Sequence, residues 1–307
     1  MSLPSPFRNP AFAGVTPRLS VLIPFYNESP LDLLRALDTH QPQAIEIILL
    51  DDGSNRPDLT EAVAAFLAAS PLAGELITLP QNEGRARGRN RLTSAARGDY
   101  FLFLDADMLP DSRSFLDRWL TETVALPPVV FGGFTLHQAP DDPAFALHKA
   151  MAGQSDCLSA EMRARQPEKH VFTSNLLIRR DVFEAEGFDP AFTGWGWEDT
   201  EWGMRVAARY GVAHIDNAAT HMGLDRPETL ARKYEQSVGN FARVIARHRE
   251  VVSAYPSYKA ARLLQRVPLR GLWRPMLKSV ALSGLAPLKL RALALRLYRA
   301  ALYAEVV

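Results

Sequence analysis

Short apolar runs alternate with helix-like segments near the start of the chain, and this alternation limits the possible fold more than any other feature. LSVLIP at 19–24, IEIILL at 45–50, a shorter run at 76–79 and YFLFL at 100–104 each have the length and β-branched or aromatic content of a buried strand. Between them Leu31, Leu34, Ala36 and Leu37 recur at helical spacing, and 58–69 and 87–96 read as further helices. Strands alternating with helices of this length predict βαβ units, and hence a parallel sheet covered by helices on its faces.

After residue 107 the regularity loosens. Strands are predicted over 129–136 and 171–178, and a helix over 199–210 that Gly211 is suited to end. From residue 228 only helices are predicted, divided by Pro256, Pro268, Pro275 and Pro287. The expected organisation is a mobile lead-in over 1–16, a catalytic α/β domain over 17–225 and a helical extension over 226–307.

With 47% hydrophobic and 22% charged residues among 307, the composition is that of a folded globular protein. Cys157 is the only cysteine, which excludes an intrachain disulfide and any multi-cysteine metal site and fits a reducing compartment. The start lacks the charged and apolar regions of a signal peptide, and no run of 18 apolar residues occurs, so a cytoplasmic protein is expected.

In open parallel sheets ligands bind beyond the carboxyl ends of the strands. Four predicted strand ends carry polar residues there: Pro24-Phe25-Tyr26-Asn27-Glu28, Asp51-Asp52-Gly53-Ser54, Asp105-Ala106-Asp107, and the neighbourhood of His221. Two carboxylates at i and i+2, as in Asp105 and Asp107, can face one hard cation that bridges pyrophosphate oxygens. The same spacing also suits a turn or a helix cap. Asp51-Asp52-Gly53-Ser54 is open to two readings, an Asx-turn or a carboxylate that holds a base or ribose. Three tryptophans, Trp195, Trp197 and Trp202, lie around Gly194 and Gly196 and suggest a flat platform for a sugar ring.

The ordered series LSVLIPFYNE, LLDDGS, NEGRARGRN and ARGDYFLFLDADM resembles the inverting GT-A glycosyltransferases of family 2. The later segment SNLLIRRDVFEAEGFDPAFTGWGWEDTEWGMRVAARYG is similar to the galactosyltransferase-type segment of chondroitin-polymerase-like and β-1,4-galactosyltransferase-like enzymes. Together these stretches cover about residues 19–223.

The resemblance implies a GT-A fold, with a Rossmann-like, mainly parallel sheet and a nucleotide-binding half over 17–107 followed by an acceptor and catalytic half over 108–225. It implies that Pro24, Tyr26, Glu28, Asp52, Arg89 and Asn90 bind the nucleotide. Asp107 would bind Mn²⁺ or Mg²⁺, Asp105 the ribose or the metal through water, and His221 would be a third ligand. Asp199 would be the general base, Glu198 would orient the acceptor, and Trp195, Gly196 and Trp197 would contact the sugars.

A base is needed because a sugar hydroxyl must lose its proton as it attacks. Two departures stand out: Trp197 occupies the place of a glycine in the usual W-G-G-E-D, and Gly88 precedes Arg89-Asn90 where alanine is usual.

The net charge of +1 conceals an asymmetry. Ten Lys or Arg and no Asp or Glu lie in 251–304, which leaves −9 on the remainder. Leu, Trp and Tyr interleave with these cations, as in helices lying on an anionic membrane surface, although a helical cap packed on the catalytic domain has the same composition. Nucleic acid is not expected as a partner, because the body is acidic and no nucleic-acid motif is present.

The expected activity is transfer of one sugar from a UDP-sugar to a glycan or glycolipid hydroxyl at the inner face of the cell membrane. A nucleotidyltransferase would show a Gly-rich basic N-terminal loop, and a mere sugar-binding scaffold would not need both acidic pairs.

Overall fold

The computed structural model describes residues 5–307. In chain order the first elements are β1 (Phe7–Arg8), β2 (Leu19–Phe25), α1 (Leu31–Ala36), β3 (Ile45–Asp51), α2 (Pro57–Ala69), β4 (Ala73–Thr78), α3 (Arg85–Ala95), β5 (Tyr100–Leu104), β6 (Met108–Pro110) and α4 (Phe115–Glu122). They are followed by β7 (Val129–Phe131), β8 (Phe134–Thr135), α5 (Ala146–Ser155), α6 (Ala160–Arg163), β9 (Asn175–Arg179), α7 (Arg180–Ala185), α8 (Glu198–Tyr210), β10 (Ala213–His214) and β11 (Ala219–His221). The chain ends in α9 (Pro227–Gln236), α10 (Val238–Ser253), α11 (Pro256–Gln265), α12 (Arg270–Leu282) and α13 (Leu288–Tyr303).

Two compact units result. The first comprises the chain up to Ala139 with Cys157–Ala191 and Trp202–Gly223, and the second Pro140–Asp156 with Phe192–Glu201 and Leu224–Val307. Where the sequence suggested one boundary at 225/226, the chain is therefore interleaved. Within the second unit the reason is visible: α13 packs on α5 and α9, and Asn240 Nδ2 of α10 donates to the carbonyls of Thr193 and Gly196 at 3.0 and 2.8 Å.

The first unit is built on an eight-stranded sheet of order β1-β4-β3-β2-β5-β9-β7-β10. Its heart, β4-β3-β2-β5, is wholly parallel, while β9 pairs antiparallel with both β5 and β7. β3 is buried along its whole length and β2 at every position but Pro24. One apolar cluster fills each face: Val21, Ile47, Leu102 and Trp119 belong to one, Leu22, Ile48, Phe103 and Trp202 to the other. From β2 the chain steps outward through β3 and β4, then returns to place β5 on the other side of β2. That reversal creates a crevice at the carboxyl ends of β2 and β5, where ligands enter such sheets. A second, three-stranded sheet, β6-β11-β8, continues from the end of β5.

Several sequence expectations change. Of the lead-in, residues 1–4 lie outside the described residues. The rest is not loose: β1 pairs with β4, and the Asn9 amide donates to the carbonyls of Leu67 and Leu72 at 2.9 and 2.8 Å. The strand predicted over 129–136 divides at Gly132-Gly133, where Gly133 takes φ +79° and Gly132 leaves room for Trp119 and Asn175. Trp202 is not part of a sugar platform. It is fully buried, with its indole N–H donated to the Glu186 carbonyl and its ring 5.4 Å from that of Phe188.

Candidate active site

Both acidic pairs of the first unit follow buried strands, but the fold treats them differently. After β3, Asp51 accepts from the Ser54 amide at 2.9 Å and the Thr60 hydroxyl at 2.8 Å, a turn-forming role. The buried Asp52 carboxylate accepts from the amides of Glu83 and Gly84 at 2.8 and 3.0 Å and from the Asn82 side chain at 3.0 Å. It thereby shapes the loop that launches α3, and Gly84 supplies the φ of +87° that this loop requires. Burial pushes the Asp52 carboxyl above the ordinary range, and the two amides pull it only part of the way back.

After β5, the carboxylates are held by side chains from distant parts of the unit. Asp105 Oδ1 accepts from Arg89 Nη2 at 2.8 Å, and its Oδ2 lies 3.5 Å from Arg85 Nη2. Arg89 is itself buried, so it fixes Asp105 from behind, whereas Arg85 is exposed. Asp107 Oδ2 lies 3.3 Å from His221 Nε2. The strands explain this meeting: β11 pairs antiparallel with β6 so that His221 stands opposite Met108, and the Met222 amide donates to the Asp107 carbonyl at 2.8 Å. The Asp107 side chain fills the space beside Gly223, where a Cβ would stand 1.8 Å from Oδ2.

Burial opposes ionisation of Asp107, but the contact with His221 and the charge of Arg85 outweigh it and hold the carboxyl below its usual range. Its Oδ1 is buried and lacks a hydrogen-bond partner among the described residues. An orphaned buried carboxylate oxygen is costly, and a bound cation is one way to satisfy it. Asp105, Asp107 and His221 nevertheless do not form a three-ligand cage: among the described residues no three His, Cys, Asp or Glu side chains are placed to hold a metal.

The remaining expected nucleotide contacts divide. Tyr26 and Glu28 are exposed at the end of β2, and Pro24 is half-buried within it. Asn90 is engaged in structure: its Nδ2 donates to the Phe188 carbonyl at 2.9 Å, and its Oδ1 accepts the Phe188 amide at 3.1 Å.

In the second unit, Glu198 and Asp199 open α8, Glu198 buried and Asp199 half-buried. Acidic residues in a first turn suit the positive end of the helix dipole. The preceding loop is unusual, since Gly194, Gly196 and Trp197 all have positive φ, at +73°, +87° and +74°. A left-handed conformation disfavours a bulky residue, so the backbone at Trp197 keeps the shape that a glycine would adopt.

Trp197 holds it because its ring is locked in place. Its Nε1 donates to the Tyr303 hydroxyl at 2.9 Å, and the indole packs on Phe241 with ring centres 4.6 Å apart. Trp197 thus anchors the loop. Trp195 is half-buried, its ring 6.2 Å from that of Tyr234 and 5.7 Å from Lys233 Nζ. Sequence reasoning missed Asn240, Tyr303 and Gly223. Only Gly223, two residues after His221, left a trace that could have been read.

The model of glycosyl transferase family 2 matches residues 20–187, and that of the N-terminal domain of galactosyltransferase matches residues 153–224. Polypeptide N-acetylgalactosaminyltransferase 10 of Rattus norvegicus is 29% identical over 213 residues, covering 62% of this chain and 35% of its own length. An N-acetylglucosaminyltransferase of Rhizobium leguminosarum bv. phaseoli is 30% identical over 97 residues, covering 30% of this chain and 22% of its own. The chain thus spans about a third or less of the length of these relatives.

Among solved structures, the mannosyltransferase PcManGT from Pyrobaculum calidifontis, in complex with GDP-Man and Mn²⁺, superposes with a TM-score of 0.60 at 18% identity, covering 94% of this chain and 87% of its own. S. aureus TarS 1-349 gives 0.52 at 16% identity, covering 92% and 89%. With its parallel heart, its switch-point acidic pair and a family match over more than half its length, the chain belongs to glycosyl transferase family 2 and has the GT-A fold.

Proposed function

We propose that this enzyme transfers one sugar from a UDP-sugar to a hydroxyl of a glycan or glycolipid acceptor at the membrane surface, with inversion and with help from a divalent cation. The observation that carries the reading is Asp107, whose buried Oδ1 has no hydrogen-bond partner among the described residues and lies at the switch point beside His221.

A carboxylate and an imidazole are donors that fit Mn²⁺ better than Mg²⁺, which prefers oxygen alone. Asp107 and His221 would hold the cation, which would bind together with the nucleotide's phosphates. When bound, such a cation stabilises the charge that develops on the departing nucleoside diphosphate.

The protein's own groups have distinct tasks in this proposal. Arg89 holds Asp105 rigid, so that the exposed edge of its carboxylate can receive a ribose hydroxyl. Arg85 adds positive charge toward the diphosphate. Tyr26 offers an exposed ring for the base, and Asp52 shapes the nucleoside wall through the loop it holds. Asp199 takes the acceptor proton, and Glu198 orients the acceptor. Trp197 and Asn240 fix the loop that precedes both acids.

The test is release of nucleoside diphosphate from a panel of UDP- and GDP-sugars, with Mn²⁺, with Mg²⁺ and with chelator. UDP release that chelator abolishes and Mn²⁺ restores is expected. No release from any donor in the presence of Mn²⁺ and an acceptor mixture would sink the proposal.

A further inference from the structure

The ten cations of 251–304 are less available than their count implies. Arg274 pairs with Glu305, Lys278 with Glu235 at 2.7 Å, and Arg270 and Arg291 donate to the carbonyls of Ala304 and Ala281 at 3.0 and 3.2 Å. Arg299 lies 5.1 Å from the ring of Tyr234. Arg262 and Arg296 donate to Gln265 and Gln154 at 2.8 and 2.7 Å, so seven of the ten serve the second unit's own packing.

What α12, α13 and the turn between them leave exposed is apolar. Leu272, Pro275 and Met276 stand at i, i+3 and i+4 on α12, so they share one stripe, with Leu272 67% and Met276 66% exposed. On α13, Leu290 and Leu293 are likewise exposed at i and i+3. Leu285, in the turn that joins the two helices, is 98% exposed, the largest value for any large hydrophobic among the described residues. α12 and α13 pack against each other, so these exposed residues all belong to one hairpin. Lys289 and Arg266 are exposed next to it in the chain, and no acidic residue occurs anywhere in 251–304.

We infer that the α12–α13 hairpin docks on a lipid surface carrying anionic headgroups. Leu285 and its neighbours enter the headgroup–acyl boundary, while Arg266 and Lys289 meet phosphate. The hairpin lies in the interface and does not cross it, because no helix among the described residues is long and apolar enough to span a membrane. Charge complementarity selects the occupant: Glu305 and Glu235 are taken up by Arg274 and Lys278, and exposed apolar residues beside Arg266 and Lys289 suit an anionic bilayer.

The experiment is sedimentation of the full chain with vesicles of phosphatidylglycerol in phosphatidylcholine, against phosphatidylcholine alone, with neither donor nor acceptor present. Preferential binding to the anionic vesicles is expected. The pair L272D/L285D should weaken it at least about tenfold, and R266Q/K289Q severalfold, with circular dichroism and molar mass unchanged. The inference is overturned if the wild type ignores anionic vesicles or if L272D/L285D binds as tightly as wild type. It is equally overturned if light scattering shows a dimer that L272D/L285D dissolves, for then these exposed residues form a self-association face. Failure here leaves the sugar-transfer reading untouched, because no sugar enters the assay.

Discussion

The two acidic pairs at the ends of β3 and β5 look alike in sequence, and the fold uses them for opposite purposes. Asp51 and Asp52 accept hydrogen bonds from turns and from the loop before α3, so that pair is structurally complete. Asp105 and Asp107 are met by side chains from α3 and β11, and Asp107 keeps one buried oxygen without a hydrogen-bond partner among the described residues. A carboxylate whose demands are met by backbone amides builds the scaffold. Asp107, met by an imidazole and with acceptor capacity left over, is the one the proposed cation would use.

The widest gap between the pairs should open with Asp107→Asn, which we expect to lower transfer about 10³-fold, the scale of losing one key electrostatic contact to a developing charge. Thermal stability should hold or rise. A stability loss with activity retained would place Asp107 with the scaffold residues, and steady-state kinetics beside a melting curve decides.

Gly223→Ala sharpens the same contrast without touching a carboxylate. Its Cβ would lie 1.8 Å from Asp107 Oδ2 and must displace that side chain. A loss of about 10–100-fold in kcat/KM is expected, in line with the cost of small misplacements at reacting centres, together with weaker activation by Mn²⁺. An unchanged Mn²⁺ titration would argue against any role for Asp107 in holding the cation.

Asp52→Ala should do the reverse, leaving three donors without their acceptor and lowering stability by about 1–3 kcal/mol in urea unfolding. If folding stability were unaffected while binding of UDP failed, Asp52 would belong with the ligand-facing pair.

The smallest effect is one of pH. Because the folded Asp52 carboxyl titrates above its unfolded value, the native state binds more protons across that interval. Its contribution to stability is thus fully present below the ordinary carboxylate range and lost as pH rises through the raised folded value. The stability of wild type relative to Asp52→Asn should fall as pH increases across this window, and a flat difference would show that the carboxyl is not raised.

Much of this was open to inspection in the sequence. The apolar runs of β2, β3 and β5 are buried from end to end or nearly so and declared themselves by composition. β4 was harder, since it begins at Ala73 and carries Glu75, a buried carboxylate paired at 2.6 Å with Arg8 of β1, a partner 67 residues earlier. Asn90 and Trp197 carry structural contacts that the sequence did not announce, for one reason. An amide or an indole looks available until the packing supplies Phe188 for the one and Phe241 with Tyr303 for the other.

By itself, then, the sequence determined the alternating α/β pattern, the strand ends where chemistry could gather, and the excess of positive charge near the end of the chain. These follow from local patterning and from the requirement that apolar runs be buried. Tertiary structure alone decided which acidic pair is satisfied, that His221 stands beside Asp107, and that most of the basic stretch is engaged within its own unit. Hydrogen-bond partners and exposure depend on which distant residues arrive at the same place, and no stretch of neighbouring residues encodes that on its own.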